Sequence, residues 1–183
     1  TAPVVWKRRL WGTLRDQKLL NMLQFLPSLR DNVDVLSELR LRKAKRTKRW
    51  IAGQGIKPWL QSKTESDREP KPITWSLDTC FVEATPWISD LIVFENETIS
   101  FRNRLKKKRY RSDVLYSQPP VDLFFGPMVL FSQGFDKVAY CDFNVLFQHS
   151  LQSIAGPPED NALMIFLAAY LRSKLARYFL FHT

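Results

Sequence analysis

An α+β fold is predicted for this 183-residue chain, and three observations predict it. Apolar residues recur at helical spacing over residues 13–39, the period falls to two over residues 75–154, and a helical pattern after a proline pair closes the chain. Helices first, strands next and a helix last fit segregated elements better than a doubly wound parallel sheet.

Residues 4–10 mix apolar and basic side chains and read as a strand or a lead-in. Thr13-Leu14-Arg15-Asp16 fits a capping box with Thr13 as N-cap. Leu19, Leu20, Leu23 and Leu26 follow at helical spacing until Pro27 ends the run. Ser28-Leu29-Arg30-Asp31 repeats the capping pattern, and Leu29, Val33, Leu36 and Leu39 predict a second helix. That helix leads into residues 40–49, where seven of ten residues are Lys or Arg. Residues 50–56 read as a strand whose two glycines permit a bulge or the close approach of another backbone.

Residues 61–72 are polar, charged and proline-bearing, and are predicted to form a loop. A hairpin is expected beyond it, with arms at residues 91–94 and 98–105 around Glu95-Asn96-Glu97. In its second arm Ile99, Phe101 and Leu105 would share one face, and Arg102, Arg104, Lys106 and Lys108 the other. Further strands are expected at residues 128–132, 138–141 and 145–154. Gly156-Pro157-Pro158 then breaks the chain, with Pro158 suited to a first helical position. Glu159 and Asp160 suit the start of the last helix, and Lys174 and Arg177 its end. Residues 162–171 are apolar all round, so this helix is expected to be deeply buried. Two segments result: a helical linker with a basic run over residues 1–49, and a main domain over residues 50–183. The end at Phe181-His182-Thr183, just after an apolar stretch, reads as a cut within a longer protein.

Twenty-eight Lys and Arg oppose 18 Asp and Glu, a net charge of +10. Such an excess attracts polyanions, nucleic acid before an anionic membrane. The longest apolar run is too short to span a bilayer, and Trp6-Lys7-Arg8-Arg9, which precedes no long apolar run, does not read as a secretory leader. A reduced cytoplasmic protein is expected, with Cys80 and Cys141 as buried thiols and no metal site.

The charge concentrates in two runs. One holds Arg40, Arg42, Lys43, Lys45, Arg46, Lys48 and Arg49, and the other Arg102, Arg104, Lys106, Lys107, Lys108, Arg109 and Arg111. Neither contains an acidic residue, so neither neutralises itself by local pairing. Trp50, Phe101 and Tyr110 adjoin them. Clustered Lys and Arg bind duplex DNA by releasing counterions, so both runs are candidate phosphate contacts, Lys43, Lys45, Arg46, Lys48 and Arg49 in the first and all seven residues of the second. The bland alternative is a solvated basic surface.

Catalytic signals are weak. Gly53-Gln54-Gly55 lacks the third glycine of a dinucleotide fingerprint. Ser117-Gln118-Pro119-Pro120-Val121 is near the amino-methyltransferase pattern, but Gln118 and Val121 replace its polar group and its stacking ring, so the proline pair reads as a rigid turn. Asp16-Gln17-Lys18 has no paired upstream carboxylate, and His149 reads as a hydrogen-bonded structural histidine. Trp6, Trp11, Trp75 and Trp87 read as core residues. No catalytic residue is assigned.

Four stretches carry a resemblance. They are Trp6-Lys7 with residues 10–16, residues 50–56, residues 127–134, and residues 147–156 followed by residues 171–176. In order and spacing they resemble the TaqI-like specificity domain of N-6 adenine DNA methyltransferases of type II restriction–modification systems. The longer basic segment at residues 31–49, and Phe131-Ser132-Gln133 without an arginine, depart from that pattern. The resemblance implies a target-recognition domain that grips duplex DNA opposite a methylase domain of the same parent chain. It also implies S-adenosylmethionine as cofactor in the parent, with none in this region. Gln54 and Gln133 are then the candidate base readers, because amides pair bidentately with adenine. The alternatives are a stand-alone nuclease or methyltransferase, and a basic protein-interaction module of a phage-defence complex.

Overall fold

The computed structural model describes residues 14–24, 28–42, 45–60, 71–83, 88, 90–107 and 110–182. Its centre is a five-stranded sheet in the order β1-β2-β11-β8-β9, built from Val33–Val35 (β1), Trp50–Gln54 (β2), Met128–Ser132 (β8), Val138–Cys141 (β9) and Leu151–Ala155 (β11). One three-stranded sheet joins Lys57–Leu60 (β3), Tyr110–Ser117 (β7) and Lys71–Pro72 (β4). Another joins Leu146–Phe147 (β10), Cys80–Val82 (β5) and Ile99–Ser100 (β6). Among the described strands β1–β2 and β5–β10 pair parallel, and the remaining pairings are antiparallel. Among the described residues five α-helices complete an α+β fold: Leu14–Gln24 (α1), Leu36–Arg42 (α2), Phe101–Lys107 (α3), Asn161–Arg172 (α4) and Lys174–His182 (α5).

The period of two sorts the central sheet into two cores. Met128, Leu130, Ala139, Cys141, Leu151 and Ala155 point into the larger one, with Phe81, Phe101, Phe124 and Phe147. Val129, Phe131, Val138, Tyr140 and Ile154 point the other way, against Met164, Leu167, Ala168 and Leu171 of α4. Each fully buried side chain of this size contributes about 1.5–3 kcal/mol. Stacking of Phe81 on Phe101, with centroids 5.6 Å apart, holds α3 against β5. Burial pushes the Cys141 thiol up to about 12, whereas Cys80 is only half-buried.

The strands at residues 128–132 and 138–141 form as expected. Other expectations need correction. The second helix is split into a single 3-10 turn at Leu29–Asp31, then β1, then α2. Val33 and Val35 are β-branched, and β1 gains a partner in β2, which outweighs the helical spacing. Strand β1 therefore lies in the same sheet as β2, and residue 49 divides two paired strands. The expected hairpin arm at residues 98–105 is strand only at Ile99–Ser100 and helix from Phe101. Phe101, Arg104 and Leu105 share the buried face at i, i+3 and i+4. The strand expected at residues 145–154 is interrupted at residues 148–150.

The last helix breaks at Ser173, and α4 is buried on one side only. On its outer side Leu163 is 51%, Ile165 47% and Phe166 67% exposed. Helix α1 forms as expected with Asp16 in its first turn, while Thr13 lies outside the described residues. The Asp16 carboxylate lies against Tyr178 of α5 and pushes its phenol up to about 12. Among the described residues no helix is long and apolar enough to cross a membrane.

Candidate nucleic-acid interface

Helix α4 covers only part of its sheet face. The uncovered part is a groove of about 570 Å³, floored by Val35, Ala52, Gln54, Phe131, Gln152 and Ile154. Gln54 and Gln152 are register partners on β2 and β11, so their side chains emerge side by side on one face. Gln152 is also the register partner of Phe131, which extends the row to β8. Neither amide has a hydrogen-bond partner among the described residues.

The groove's walls come from the turns at this end of the sheet. After β2 the backbone passes hard against β10: a Cβ on Gly55 would lie 2.2 Å from the Phe147 carbonyl oxygen. The glycine allows Ile56 N–H to donate to Phe147 O at 2.9 Å, and His149 N–H to donate to Ile56 O at 2.8 Å. This is the close approach expected of a glycine-bearing strand. It brings Lys57 and His149 to the rim, with the Lys57 ammonium 4.7 Å from the Tyr116 ring centroid. Partial burial and the Lys57 charge hold the His149 imidazole below its usual pKa. The other wall is the β8–β9 turn, where Gly134 (φ 91°) precedes Phe135 (φ 60°). A left-handed phenylalanine costs roughly 1–2 kcal/mol. Its ring stacks on Phe131 with centroids 4.8 Å apart and an 11° interplanar angle, which offsets part of that cost.

The two predicted base readers are placed at the same end of the sheet. Strands β2 and β8 both run antiparallel to β11, so Gln54 at the end of β2 and Gln133 just after β8 share an edge, about 10 Å apart across two strand spacings. Both are exposed, but only Gln54 lines the groove.

The basic runs are not uniform rows of free charge. In the first, buried Asp34 accepts the backbone N–H groups of Thr47 (2.6 Å) and Lys48 (2.7 Å). These bonds hold the Asp34 carboxyl below the usual carboxylate range. Arg46 meets Asp122 at 2.8 Å and donates to the carbonyl of Arg49 at 3.1 Å. Arg49 meets Asp160 at 2.5 Å, and the same carboxylate oxygen accepts the Trp50 indole N–H at 2.6 Å. Lys45 is exposed.

In the second run Arg104 is turned inward, 7% exposed. It lies 3.3 Å from Glu83 and donates to Gln148 Oε1 at 2.6 Å. Its guanidinium also lies over the rings of Phe81 (5.8 Å) and Tyr110 (5.7 Å). Arg104 is therefore tied into the fold and turned away from the surface. Arg102 lies 3.3 Å from Asp78 at the surface, while Lys106, Lys107 and Arg111 are exposed. Lys43, Lys108 and Arg109 lie outside the described residues.

Sequence reading missed Gln152, Lys57 and Tyr116. Gln152 carried no signal of its own beyond being a polar residue on the period-two face of Ile154; its place beside Gln54 comes from the register of β2 and β11. The Arg104–Gln148 bond continues from Gln148 Nε2 to Ser150 Oγ at 2.6 Å, so α3 is tied to the turn that carries His149. His149 was expected as a hydrogen-bonded structural histidine; the residue is exposed, and its backbone N–H is bonded to Ile56 O.

Pro119 and Pro120 form an extended joint after β7 (Pro120 φ −55°, ψ 146°) and line a second, apolar groove of about 850 Å³ with Leu36, Leu39 and Val121. Trp75 is half-buried and packs edge-on against Phe124 at 5.4 Å, as a core residue does; Trp6, Trp11 and Trp87 lie outside the described residues. Comparison with protein-family models, curated proteins and solved structures gives no match.

Proposed function

We propose that this chain binds duplex DNA as the target-recognition part of an adenine DNA methyltransferase or a related restriction–modification enzyme. The observation that carries the reading is the groove with two open amides. Lys57 and His149 stand at its rim, and Arg104 ties that rim to the helix bearing Lys106 and Lys107. A surface that reads duplex DNA needs base-edge donors and acceptors flanked by cations for phosphate, and this arrangement supplies both. The net charge of +10 supports the same reading.

In this proposal chemistry belongs to a methylase part of the parent chain, which would bind S-adenosylmethionine while this region holds the duplex and the target adenine flips. In this proposal the exposed Leu163, Ile165 and Phe166 of α4 form an apolar face that would meet that partner surface.

The test is fluorescence anisotropy of a labelled duplex titrated with the 183-residue chain at low salt. Saturable binding that weakens steeply with added salt is expected. Absence of binding at low salt, with the fold intact by circular dichroism, would overturn the proposal.

A further inference from the structure

We infer that the groove reads two adjacent A·T base pairs, one through Gln54 and the other through Gln152, with Phe135 positioned against a thymine methyl group. This inference rests on the DNA-binding reading above and deepens it.

Three observations carry it. Gln54 and Gln152 are register partners on neighbouring antiparallel strands, so their side chains leave the sheet in parallel, with Cβ atoms about 5 Å apart. That spacing is within reach of two bases stacked about 3.4 Å apart on one strand. Each amide pairs best with adenine, accepting from its N6 amino group and donating to N7. Neither amide is committed to the fold among the described residues. By contrast, Gln148, on the same turn system, is bonded to both Arg104 and Ser150.

The second observation is place. Strand β2 ends at Gln54 and β11 begins at Leu151, so the two amides sit on adjacent inner strands at one end of the five-stranded sheet, where the groove opens. The third is the company the amides keep. Next along the row are Phe131 and the half-exposed Phe135, whose ring is stacked on Phe131 and held by a left-handed backbone. An aromatic edge beside an adenine reader favours the thymine methyl over cytosine at the neighbouring position. Lys57 and His149 at the rim face the flanking backbone.

The experiment selects bound duplexes from a random pool with the wild-type chain, Gln152→Ala and Gln152→Glu, then measures affinities by anisotropy. The wild type is expected to select two adjacent A·T pairs, and exchange of either for G·C should weaken binding roughly five- to 150-fold. Gln152→Ala should lose that discrimination at one of the two pairs only, with affinity for an unselected duplex within about two-fold of wild type. Gln152→Glu should turn the preference at that pair toward cytosine, which a carboxylate accepts from; a folding defect cannot produce this new preference. Full discrimination retained in Gln152→Ala would overturn the inference and leave DNA binding standing. Duplex binding by the wild type with no base preference would overturn it too. No duplex binding at all would overturn the proposed function and this inference together.

Discussion

The two basic runs look alike in sequence and differ in the fold. In the first, the described cationic segment is clamped by three carboxylates from distant parts of the chain: Asp34 on its backbone, Asp122 on Arg46 and Asp160 on Arg49. In the second, one cation, Arg104, is spent inside the protein on Glu83 and Gln148, while Lys106 and Lys107 face outward on the same helix. A run free of acidic residues cannot pair locally, but tertiary structure brings acids from 13 to 111 positions away (Asp34 to Thr47, Arg49 to Asp160). Charge counted along a sequence is therefore an upper bound on charge available to a partner.

The sharpest way to break this contrast is Arg104→Met. Removing the buried guanidinium takes away its ion pair with Glu83 and its hydrogen bond to Gln148, at an expected cost of about 3 kcal/mol or more in urea unfolding. A loss under about 1 kcal/mol would mean that Arg104 is a surface cation after all.

Next in size is Asp34→Ala, expected to cost about 2 kcal/mol, because two backbone donors lose a charged acceptor. The pH dependence fixes the cause. The folded-state pKa of Asp34 is lowered, so its contribution is fully present above the ordinary carboxylate range and is lost as pH falls through the depressed value. The stability gap between wild type and variant should be constant near neutrality and close in acid. A gap that persists unchanged through the acid limb would assign the loss to packing.

Arg46→Gln and Arg49→Gln should each cost about 0.5–1 kcal/mol, since their ion pairs are partly exposed. Lys106→Gln with Lys107→Gln should leave stability within about 0.5 kcal/mol of wild type, as expected of outward residues without a structural task. Thermal unfolding of the two single arginine variants and the lysine double variant measures the difference directly.

Much of the central sheet was legible because β8 and β9 are continuous apolar runs whose partners lie next to them in sequence. What failed to read was set by distant partners. Val33–Val35 has helical spacing to its neighbours and becomes a strand because β2 lies alongside. Phe101, Arg104 and Leu105 fit either a strand with alternating charge or a helix with one buried face, and burial against Phe81 decides for the helix. Gln54 was legible as an amide beside two glycines. Gln152 was not, because its significance comes from register across β2 and β11. The outer side of α4 misled for a related reason: an all-apolar pattern states what a helix tolerates, and here no described element covers Phe166.

In the proposed function the outward cations of the second run, and not the clamped cations of the first, are the ones that would meet DNA phosphate. Anisotropy with one labelled duplex across a salt series tests it, comparing wild type with the double variants Lys106→Gln/Lys107→Gln and Arg46→Gln/Arg49→Gln. Each phosphate contact contributes about 0.9 to the slope of log affinity against log salt, so the lysine variant should flatten the slope by about two units and the arginine variant should leave it unchanged. A flattened slope in the arginine variant with an unchanged slope in the lysine variant would overturn this assignment and move the phosphate surface to the first run.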